Sequence, residues 1–208
     1  MTTDPKWLDW ARRLQATAQN GILYTESAFD RERYEEIRAV AAEIMAEHSE
    51  LDFPAIRDLF SAEEGAATPK VDVRGVVFRE GRILLVKETS DGKWTLPGGW
   101  ANVDDTPKRA VEREVFEESG FETEATKVLA VYDRNRQGHV PPYPYHVYKI
   151  LFRCEIISGE ATPSIETADV DFFAEDAIPE LSARRTTTVQ IARMFEHMRH
   201  PDWSTDFD

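Results

Sequence analysis

The spacing of apolar residues divides the chain into two parts. Before residue 62, apolar positions recur every three or four residues, as in amphipathic helices. In the first predicted helix they are Trp7, Leu8, Ala11, Leu14 and Ala18, in the second Tyr34, Ile37, Ala41, Ile44 and Met45, and in the third Ile56, Leu59 and Phe60. The pattern therefore predicts a three-helix N-terminal module.

Local signals suggest where two of these helices begin and end. Asp4-Pro5 is typical of an N-cap followed by proline in the first turn, and Gly21 is typical of a C-terminal stop. For the second helix we expect Asp30 as N-cap, with Phe29 and Tyr34 forming a hydrophobic staple around it.

After a small, polar segment at Ser61–Pro69, which is typical of a linker, the pattern changes to β-rich runs. A hairpin is expected around Glu80-Gly81. Further strands are predicted at Lys127–Asp133, His146–Ile157 and Asp169–Phe173, and helices at Pro107–Ser119, Glu175–Leu181 and Thr187–Arg199. The prediction is an α+β domain over residues 66–208, preceded by a small all-α module over residues 1–65.

The predicted helical module is small for independent folding, so its aromatic residues should pack against something. They are Trp7, Trp10, Tyr24, Phe29 and Tyr34. One interpretation is packing on the main domain of the same chain, and the other is packing on a second chain. Because a module on a flexible linker exchanges readily between chains, we favour a homodimer.

Composition narrows the function. The net charge of −14 argues against binding to nucleic acid or to anionic membranes, which requires clustered basic residues. It permits a small phosphorylated substrate, since a divalent cation reverses the local sign. The single cysteine, Cys154, is expected in a buried strand. No signal peptide and no apolar run of bilayer length is evident, so a cytoplasmic protein is expected.

Carboxylates are concentrated on the helix predicted at Pro107–Ser119. At 100° per residue, Glu114, Glu117 and Glu118 share an arc of roughly 100° beside the apolar residues Val111 and Val115. Partly buried carboxylates that repel one another normally take up a proton or a metal ion. Oxygen ligands favour Mg²⁺ or Mn²⁺ over zinc.

The residues before and after this helix fit the same interpretation. Thr106 is suited to cap its start and Gly120 to end it. Pro97-Gly98-Gly99 lets the backbone pass close to a ligand and offers carbonyl oxygens to a metal. Arg113 lies beside the carboxylate arc, where it can pair with Asp105 and hold the loop on the helix.

The pattern from Gly99 to Phe121 resembles the signature of the Nudix hydrolases: a glycine, five residues, a glutamate, seven residues, and then Arg-Glu-apolar-x-Glu-Glu-x-Gly-apolar. The matching residues are Gly99, Asp105, Arg113, Glu114, Val115, Glu117, Glu118, Gly120 and Phe121, with Asp105 in the place of the family's glutamate. The resemblance implies a mixed sheet sandwiched between helices over about Pro69–Pro201. It also implies hydrolysis of a nucleoside diphosphate linked to another moiety.

In such enzymes Glu114 and Glu118 would be the main ligands of Mg²⁺ or Mn²⁺, helped by Glu117 and the Gly98 carbonyl. The N-terminal segments QNGILY and FDRERYEEIR, ahead of LPGGWA, also resemble a bacterial Nudix subgroup. Members of that subgroup are associated with CDP-choline or ADP-ribose pyrophosphatase activity and form dimers.

A general base must take a proton from the attacking water. One candidate is Glu118, which would also bind metal. Another is Glu166, in the loop before a predicted strand, where related enzymes often place an additional acidic residue; Asp169 is its alternative.

The long Pro-rich connection at Asp133–His146 is a candidate substrate loop. Its possible contacts to phosphate, ribose or base are Arg134, Arg136, His139 and Tyr145. A rigid surface loop or a dimer contact is the alternative interpretation.

Arg74 on the first strand is a further phosphate-binding candidate, but a surface salt bridge is the favoured interpretation. For Trp94 and Trp100, beside the Gly-Gly turn, core packing is favoured over stacking on a base. Arg184 and Arg185 are expected to be solvated or paired with the acidic surface.

The main hypothesis is a Nudix pyrophosphatase acting on CDP-choline or ADP-ribose. Hydrolysis of nucleoside triphosphates is a second hypothesis, which the extra helical module disfavours. A non-catalytic nucleotide sensor is a third, and the presence of all three helix glutamates disfavours it.

Overall fold

The computed structural model describes residues 5–48, 53–141 and 143–208, and these separate into two compact units. One unit is helical and contains the described residues up to Pro69 together with residues 143–146. The other contains the sheet, at Lys70–Pro141 and Val147–Asp208.

The helical unit consists of α1 (Lys6–Tyr24), α2 (Ala28–Glu47) and α3 (Phe53–Ser61), as the apolar spacing predicted. Their apolar faces form one core, made of Leu8, Ala11, Ala41, Ala42, Met45, Ile56 and Phe60. Gly21 does not end α1, which continues to Tyr24. A Cβ at Gly21 would overlap the Tyr34 ring of α2, so this glycine serves close helix packing instead.

The predicted cap of α2 was also wrong. The helix begins three residues earlier than expected, because the Ser27 hydroxyl accepts a hydrogen bond from the Asp30 N–H and so caps the first turn. Phe29 is largely exposed, which rules out the predicted staple. The predicted cap at Asp4 lies outside the described residues.

The strands form a seven-stranded mixed sheet. They are β1 (Lys70–Arg79), β2 (Arg82–Glu88), β3 (Trp94–Thr95), β4 (Phe121–Asp133), β5 (Val147–Gly159), β6 (Thr167–Phe173) and β7 (Asp206–Phe207). The order is β3-β2-β1-β5-β4-β7, with β6 paired to β2. The central pair, β1 and β5, is parallel, and Asp72 lies opposite Lys149 in it.

The predicted hairpin joins β1 to β2. Glu80 and Gly81 both have positive φ, at 52° and 74°, the conformation that a tight two-residue turn requires.

Two helices cover the two faces of the sheet, α4 (Pro107–Ser119) and α5 (Thr188–Arg199). The α4 side has a core of Val73, Val77, Leu84, Val86, Ala110, Val111, Val115, Phe121, Ala125, Phe152, Cys154, Val170 and Phe172. The α5 side has a core of Val76, Ile83, Leu85, Leu96, Leu129, Ala130, Tyr132, Leu151, Ile191, Met194 and Phe195. The predicted sheet between helices is therefore confirmed.

The helix predicted at Glu175–Leu181 was wrong, since only a 3₁₀ turn forms, at Glu175–Ala177. Its apolar residues Ile178 and Leu181 pack against the α5-side core from an extended segment. Among the described residues, no helix combines the length and the apolar character needed to cross a bilayer.

Candidate active site

Local sequence fixes both ends of α4, the helix that carries the candidate ligands. The Thr106 hydroxyl accepts a hydrogen bond from the Arg109 N–H, and Pro107 occupies the first turn. At the other end Gly120 adopts φ 77°, and its N–H donates to the Phe116 carbonyl at 2.8 Å. The start and the end of α4 are therefore both fixed, which sets the direction in which each glutamate side chain leaves the helix.

The turn that faces α4 is attached to β1 on both sides of Gly98. The Gly99 carbonyl accepts from the Val73 N–H, and the Pro97 carbonyl accepts from the Gly75 N–H, both at 2.8 Å. Gly98 has φ 139°, and a Cβ there would overlap the Val73 carbonyl oxygen, so only glycine fits. The Gly98 carbonyl has no hydrogen-bond partner among the residues that the structure describes.

Two of the three predicted carboxylates meet at this turn. Glu118 is buried, and its Oε2 accepts a hydrogen bond from the Gly98 N–H at 2.8 Å. The Glu114 carboxylate lies against Gly99, where a Cβ would be 2.7 Å from Glu114 Oε2. Glu117 points into solvent, with its side chain 55% exposed.

Arg113 connects the helix to the loop that precedes it. Its Nε donates to Asp105 Oδ2 at 3.1 Å, the pairing expected from the sequence. Its Nη1 donates to Glu114 and to Glu117, at 2.8 Å each. This guanidinium therefore orients two of the candidate metal ligands.

The electrostatic environment of Glu118 favours the neutral form. Burial raises the pKa of its carboxyl to about 8, and the negative charges of Glu88 and Glu114 contribute to the rise. The positive charge of Arg74 and the hydrogen bond from the Gly98 N–H act in the opposite direction. Burial likewise raises the pKa of Glu114. Carboxylates in such a position gain most from a bound cation, because it offsets both desolvation and mutual repulsion.

The donor set fits a hard divalent ion. Two carboxylates lie at the turn that contains the Gly98 carbonyl, and all three groups are oxygen ligands of the kind that Mg²⁺ and Mn²⁺ prefer. In the described part of the chain, no three His, Cys, Asp or Glu side chains are arranged as a complete metal-binding group. Glu117, which Arg113 holds at the helix surface, would have to turn inward to join the other two.

The part of the chain that contains this site matches a known family. Residues 68–196 match the model of the NUDIX domain. The chain belongs to the Nudix hydrolase family. Residues 5–60 match the model of a UDP-X-like N-terminal oligomerisation domain.

The chain is similar to several Nudix proteins over most of its length. It is 47% identical to YjhB of Bacillus subtilis strain 168, provisionally named an ADP-ribose pyrophosphatase, over 98% of this chain and 97% of that protein. A crystal structure of a UDP-X diphosphatase has a TM-score of 0.63 and 30% identity and covers 98% of each chain. An ADP-ribose pyrophosphatase of Streptococcus suis 89-1591 has a TM-score of 0.62 and 40% identity, covering 68% of this chain and 100% of its own.

Glu166, a predicted general base of this Nudix protein, lies in the loop before β6. Its side chain is exposed, and its carbonyl accepts two hydrogen bonds from Thr89, from the N–H and from the hydroxyl, both at 2.9 Å. The negative charge of Glu166 is among those that raise the pKa of Glu88. Asp169, the alternative, lies within β6 opposite Lys87.

The sequence did not single out Glu88, at the end of β2. Glu88 is buried, and its Oε1 lies 2.8 Å from Arg185 Nε. In the sheet it is paired with Thr167, and the Thr167 hydroxyl donates to the Glu118 carbonyl. Of the two alternatives expected for Arg185, solvation is wrong and pairing with acidic residues is found, although its partner Glu88 is buried rather than at the surface. Glu88 comes near the site through the pairing of β2 with β6. Its neighbours in the sequence therefore give no signal that could have identified it.

The surface salt bridge favoured for Arg74 was wrong, because its ion pair with Asp72 is buried. Arg74 is itself buried, and it donates to both carboxylate oxygens of Asp72, at 2.9 and 2.7 Å, and to the Leu96 carbonyl at 3.0 Å. Asp72 also accepts from Lys149 Nζ at 2.5 Å. Burial would raise the pKa of Asp72, but these two cations lower it to about 2.

The predicted substrate loop is divided between the two units. In the sheet unit, Arg134 and His139 are buried and donate to backbone carbonyls, whereas the Arg136 side chain is 73% exposed and lies 3.7 Å from Asp133. Tyr145 belongs to the helical unit, where burial and the nearby Glu63 raise the pKa of its hydroxyl to about 12.

The two tryptophans beside the Gly-Gly turn differ. Trp94 packs edge-on against Phe173, with ring centroids 4.7 Å apart, as favoured from the sequence. Trp100 is 45% exposed, so core packing does not describe it.

Proposed function

We propose that this Nudix protein is a metal-dependent pyrophosphatase acting on nucleoside diphosphates linked to a second moiety, of the ADP-ribose or CDP-choline type. The products are a nucleoside monophosphate and the phosphorylated second moiety. The observation that carries the proposal is the buried Glu118 carboxylate, held by Gly98 beside Glu114. The relatives named as ADP-ribose pyrophosphatases and as a UDP-X diphosphatase support this substrate class.

Glu114, Glu118 and the Gly98 carbonyl would hold Mg²⁺ or Mn²⁺, with Glu117 as a further ligand. When bound, such ions neutralise the diphosphate oxygens and acidify a bound water. Arg113 keeps Glu114 in position while also binding Asp105. The missing side chain of Gly98 lets the turn lie against Val73, and that of Gly99 leaves room for the Glu114 carboxylate.

The reaction forms one P–O bond from the water oxygen and breaks the P–O bond of the diphosphate bridge. Glu166 accepts the proton of the attacking water, and the departing phosphate carries away the electron pair of the broken bond. The exposed carboxylate of Glu166 and its fixed backbone, bonded to Thr89, support this role. Asp169 and Glu118 remain the alternative bases.

On the substrate side, Arg134, His139, Arg136 and Tyr145 are proposed contacts. Arg74 is the less favoured of the proposed phosphate contacts, since all three of its nitrogens already donate within the protein. The similarity of residues 5–60 to an oligomerisation domain supports a homodimer formed through the N-terminal module at residues 1–65, with the Nudix domain at residues 66–208. We propose a cytoplasmic location for the dimer.

The test is a panel of nucleoside diphosphate derivatives and nucleoside triphosphates, incubated with Mg²⁺ or Mn²⁺, with products identified by mass. Release of AMP or CMP, abolished by Glu114→Gln and Glu118→Gln, supports the proposal. Release of inorganic pyrophosphate from triphosphates would instead indicate triphosphate hydrolysis. Nucleotide-dependent shifts in melting temperature without turnover would indicate a sensor.

A further inference from the structure

A buried group of basic side chains lies on the α5 side of the sheet, outside the carboxylate site. Lys149 on β5 and Asp72 on β1 form an ion pair across the parallel strands, and Arg74 binds the same carboxylate. Arg134 is buried close enough for its charge to act on Lys149, and the buried His139 lies near both of these cations. Two cations therefore bind one carboxylate and a third cation, Arg134, lies nearby, although a buried charge without its own partner is strongly disfavoured.

The ammonium group of Lys149 does not use all of its hydrogen-bond donors. It is 2% exposed, and its ammonium makes one hydrogen bond, to Asp72, among the residues that the structure describes. An ammonium has three protons to donate, so two are available to oxygen atoms of a ligand. Burial lowers the pKa of Lys149 to about 7, and the positive charges of Arg74 and Arg134 act in the same direction. An electron-rich ligand would relieve this repulsion.

His139 offers the complementary group. Its Nδ1 lies 3.1 Å from the Ala183 carbonyl, so Nδ1 carries the proton and Nε2 is an acceptor. Nε2 is buried and has no hydrogen-bond partner within the described part of the chain. Burial lowers the pKa of His139 to about 3, so the ring is neutral near pH 7. An unpaired buried acceptor is costly, and a hydroxyl donor would satisfy it.

We propose that Lys149 and His139 form a subsite for a hydroxyl-bearing sugar, the moiety linked to the nucleoside diphosphate. A sugar hydroxyl donates to His139 Nε2 and its oxygens accept from Lys149. Choline is disfavoured, because its trimethylammonium group has no hydrogen-bond donor and would lie among three cations. This inference rests on the proposed function and selects among its substrates.

The position of the subsite suits a group attached to the diphosphate. Arg74 binds Asp72 directly, and its positive charge interacts with Glu118. One side chain therefore connects the carboxylate site to the Asp72–Lys149 pair. A sugar extending from a diphosphate at Glu118 along Arg74 would reach Lys149.

The subsite is closed to solvent. The segment that carries His139 is joined to residues 183 and 184 by three hydrogen bonds, from Arg134 Nη2, His139 Nδ1 and the Val140 N–H. We expect binding of a sugar to open part of this contact.

The first experiment compares CDP-glucose with CDP-choline, which share the nucleoside diphosphate and differ in the linked group. The wild-type protein should have a kcat/KM about tenfold or more higher for CDP-glucose. Lys149→Met should remove most of that preference by lowering kcat/KM for CDP-glucose alone. Lys93→Met, which alters a half-exposed lysine paired with Glu180, is the matched control and should keep the wild-type ratio. An equal or higher kcat/KM for CDP-choline in the wild-type protein would overturn the inference.

The second experiment needs neither turnover nor a variant. Calorimetric titration of the wild-type protein with ribose 5-phosphate and with phosphocholine compares the two phosphorylated moieties directly. Binding of ribose 5-phosphate about tenfold or more tighter supports the subsite even if no substrate is hydrolysed. Equal affinity, or tighter binding of phosphocholine, contradicts the subsite while leaving a pyrophosphatase activity intact.

Discussion

The Gly98 N–H donates a 2.8 Å hydrogen bond to Oε2 of Glu118, which joins the glycine turn directly to the acidic helix. The turn and the carboxylate therefore hold each other in position. A change to the Glu118 carboxylate should affect the proposed metal site before it affects the core, because the turn is separately hydrogen-bonded to β1.

Replacing Glu118 by glutamine keeps a hydrogen-bond acceptor for Gly98 but removes the negative charge. We expect kcat to fall by roughly 10²- to 10⁴-fold, since the metal loses a charged ligand. Titration with Mn²⁺ followed by electron paramagnetic resonance should show weaker binding. Glu124→Gln, an exposed glutamate paired with Lys108, is the control. Normal Mn²⁺ affinity in Glu118→Gln would contradict the proposed ligand role.

Alanine at Gly99 and alanine at Gly98 should have different effects. At Gly99 a Cβ meets the Glu114 carboxylate, the end of a flexible side chain, so Mn²⁺ binding should weaken with little loss of stability. At Gly98 the Cβ meets the Val73 carbonyl in a left-handed backbone conformation, so unfolding should become easier by about 3 kcal/mol or more. Thermal and denaturant unfolding of both variants test this contrast, and equal stabilities would refute it.

The Lys149 ammonium should make stability depend on pH. Its pKa is lowered to about 7 in the folded protein and returns to about 10.4 on unfolding, so the unfolded chain binds more protons between these values. The free energy of unfolding should therefore increase as pH rises from 7 to 10. In urea titrations across this range, Lys149→Met should lose most of the increase, and Lys93→Met should retain it. An unchanged pH dependence in Lys149→Met would show that another group is responsible.

Alanine at Gly21 should destabilise the helical unit. Alanine improves helix propensity by about 1 kcal/mol, but its Cβ overlaps the Tyr34 ring, and overpacking typically costs about 1–3 kcal/mol. The net effect should be a lower melting temperature. Gly21→Ala combined with Tyr34→Ala should recover part of the loss relative to Tyr34→Ala alone. Stabilisation of the protein by Gly21→Ala alone would contradict the close packing of α1 and α2.

Features set by neighbouring residues could be predicted from the sequence. The bounds of α4 were predicted correctly because Thr106, Pro107 and Gly120 act within one turn of the helix ends. The pairing of Arg113 with Asp105 follows from the same local geometry. Gly21 shows the limit of this reasoning, because the nearby Tyr34 ring, on a second helix, decides its role.

Features formed by strand pairing could not be predicted. Lys149 and Asp72 are 77 residues apart and become partners only through the parallel register of β1 and β5. Glu88 pairs with Thr167 through β2 and β6, and the Thr167 hydroxyl donates to the backbone carbonyl of Glu118, so the assembled sheet brings the two glutamates near each other. No single-sequence pattern encodes such distant contacts, since strand register depends on the assembled sheet.

Gly75 has a consequence for the evolution of this site. It lies on β1 beneath Val115 of α4, and a Cβ at this position would overlap the valine side chain. The distance between helix and sheet is thus set by a missing methyl group. Any larger residue would lift the whole helix, and three carboxylates with it, away from the glycine turn. A substitution at Gly75, which touches no carboxylate, would then inactivate the enzyme although every acidic residue is still present in the sequence.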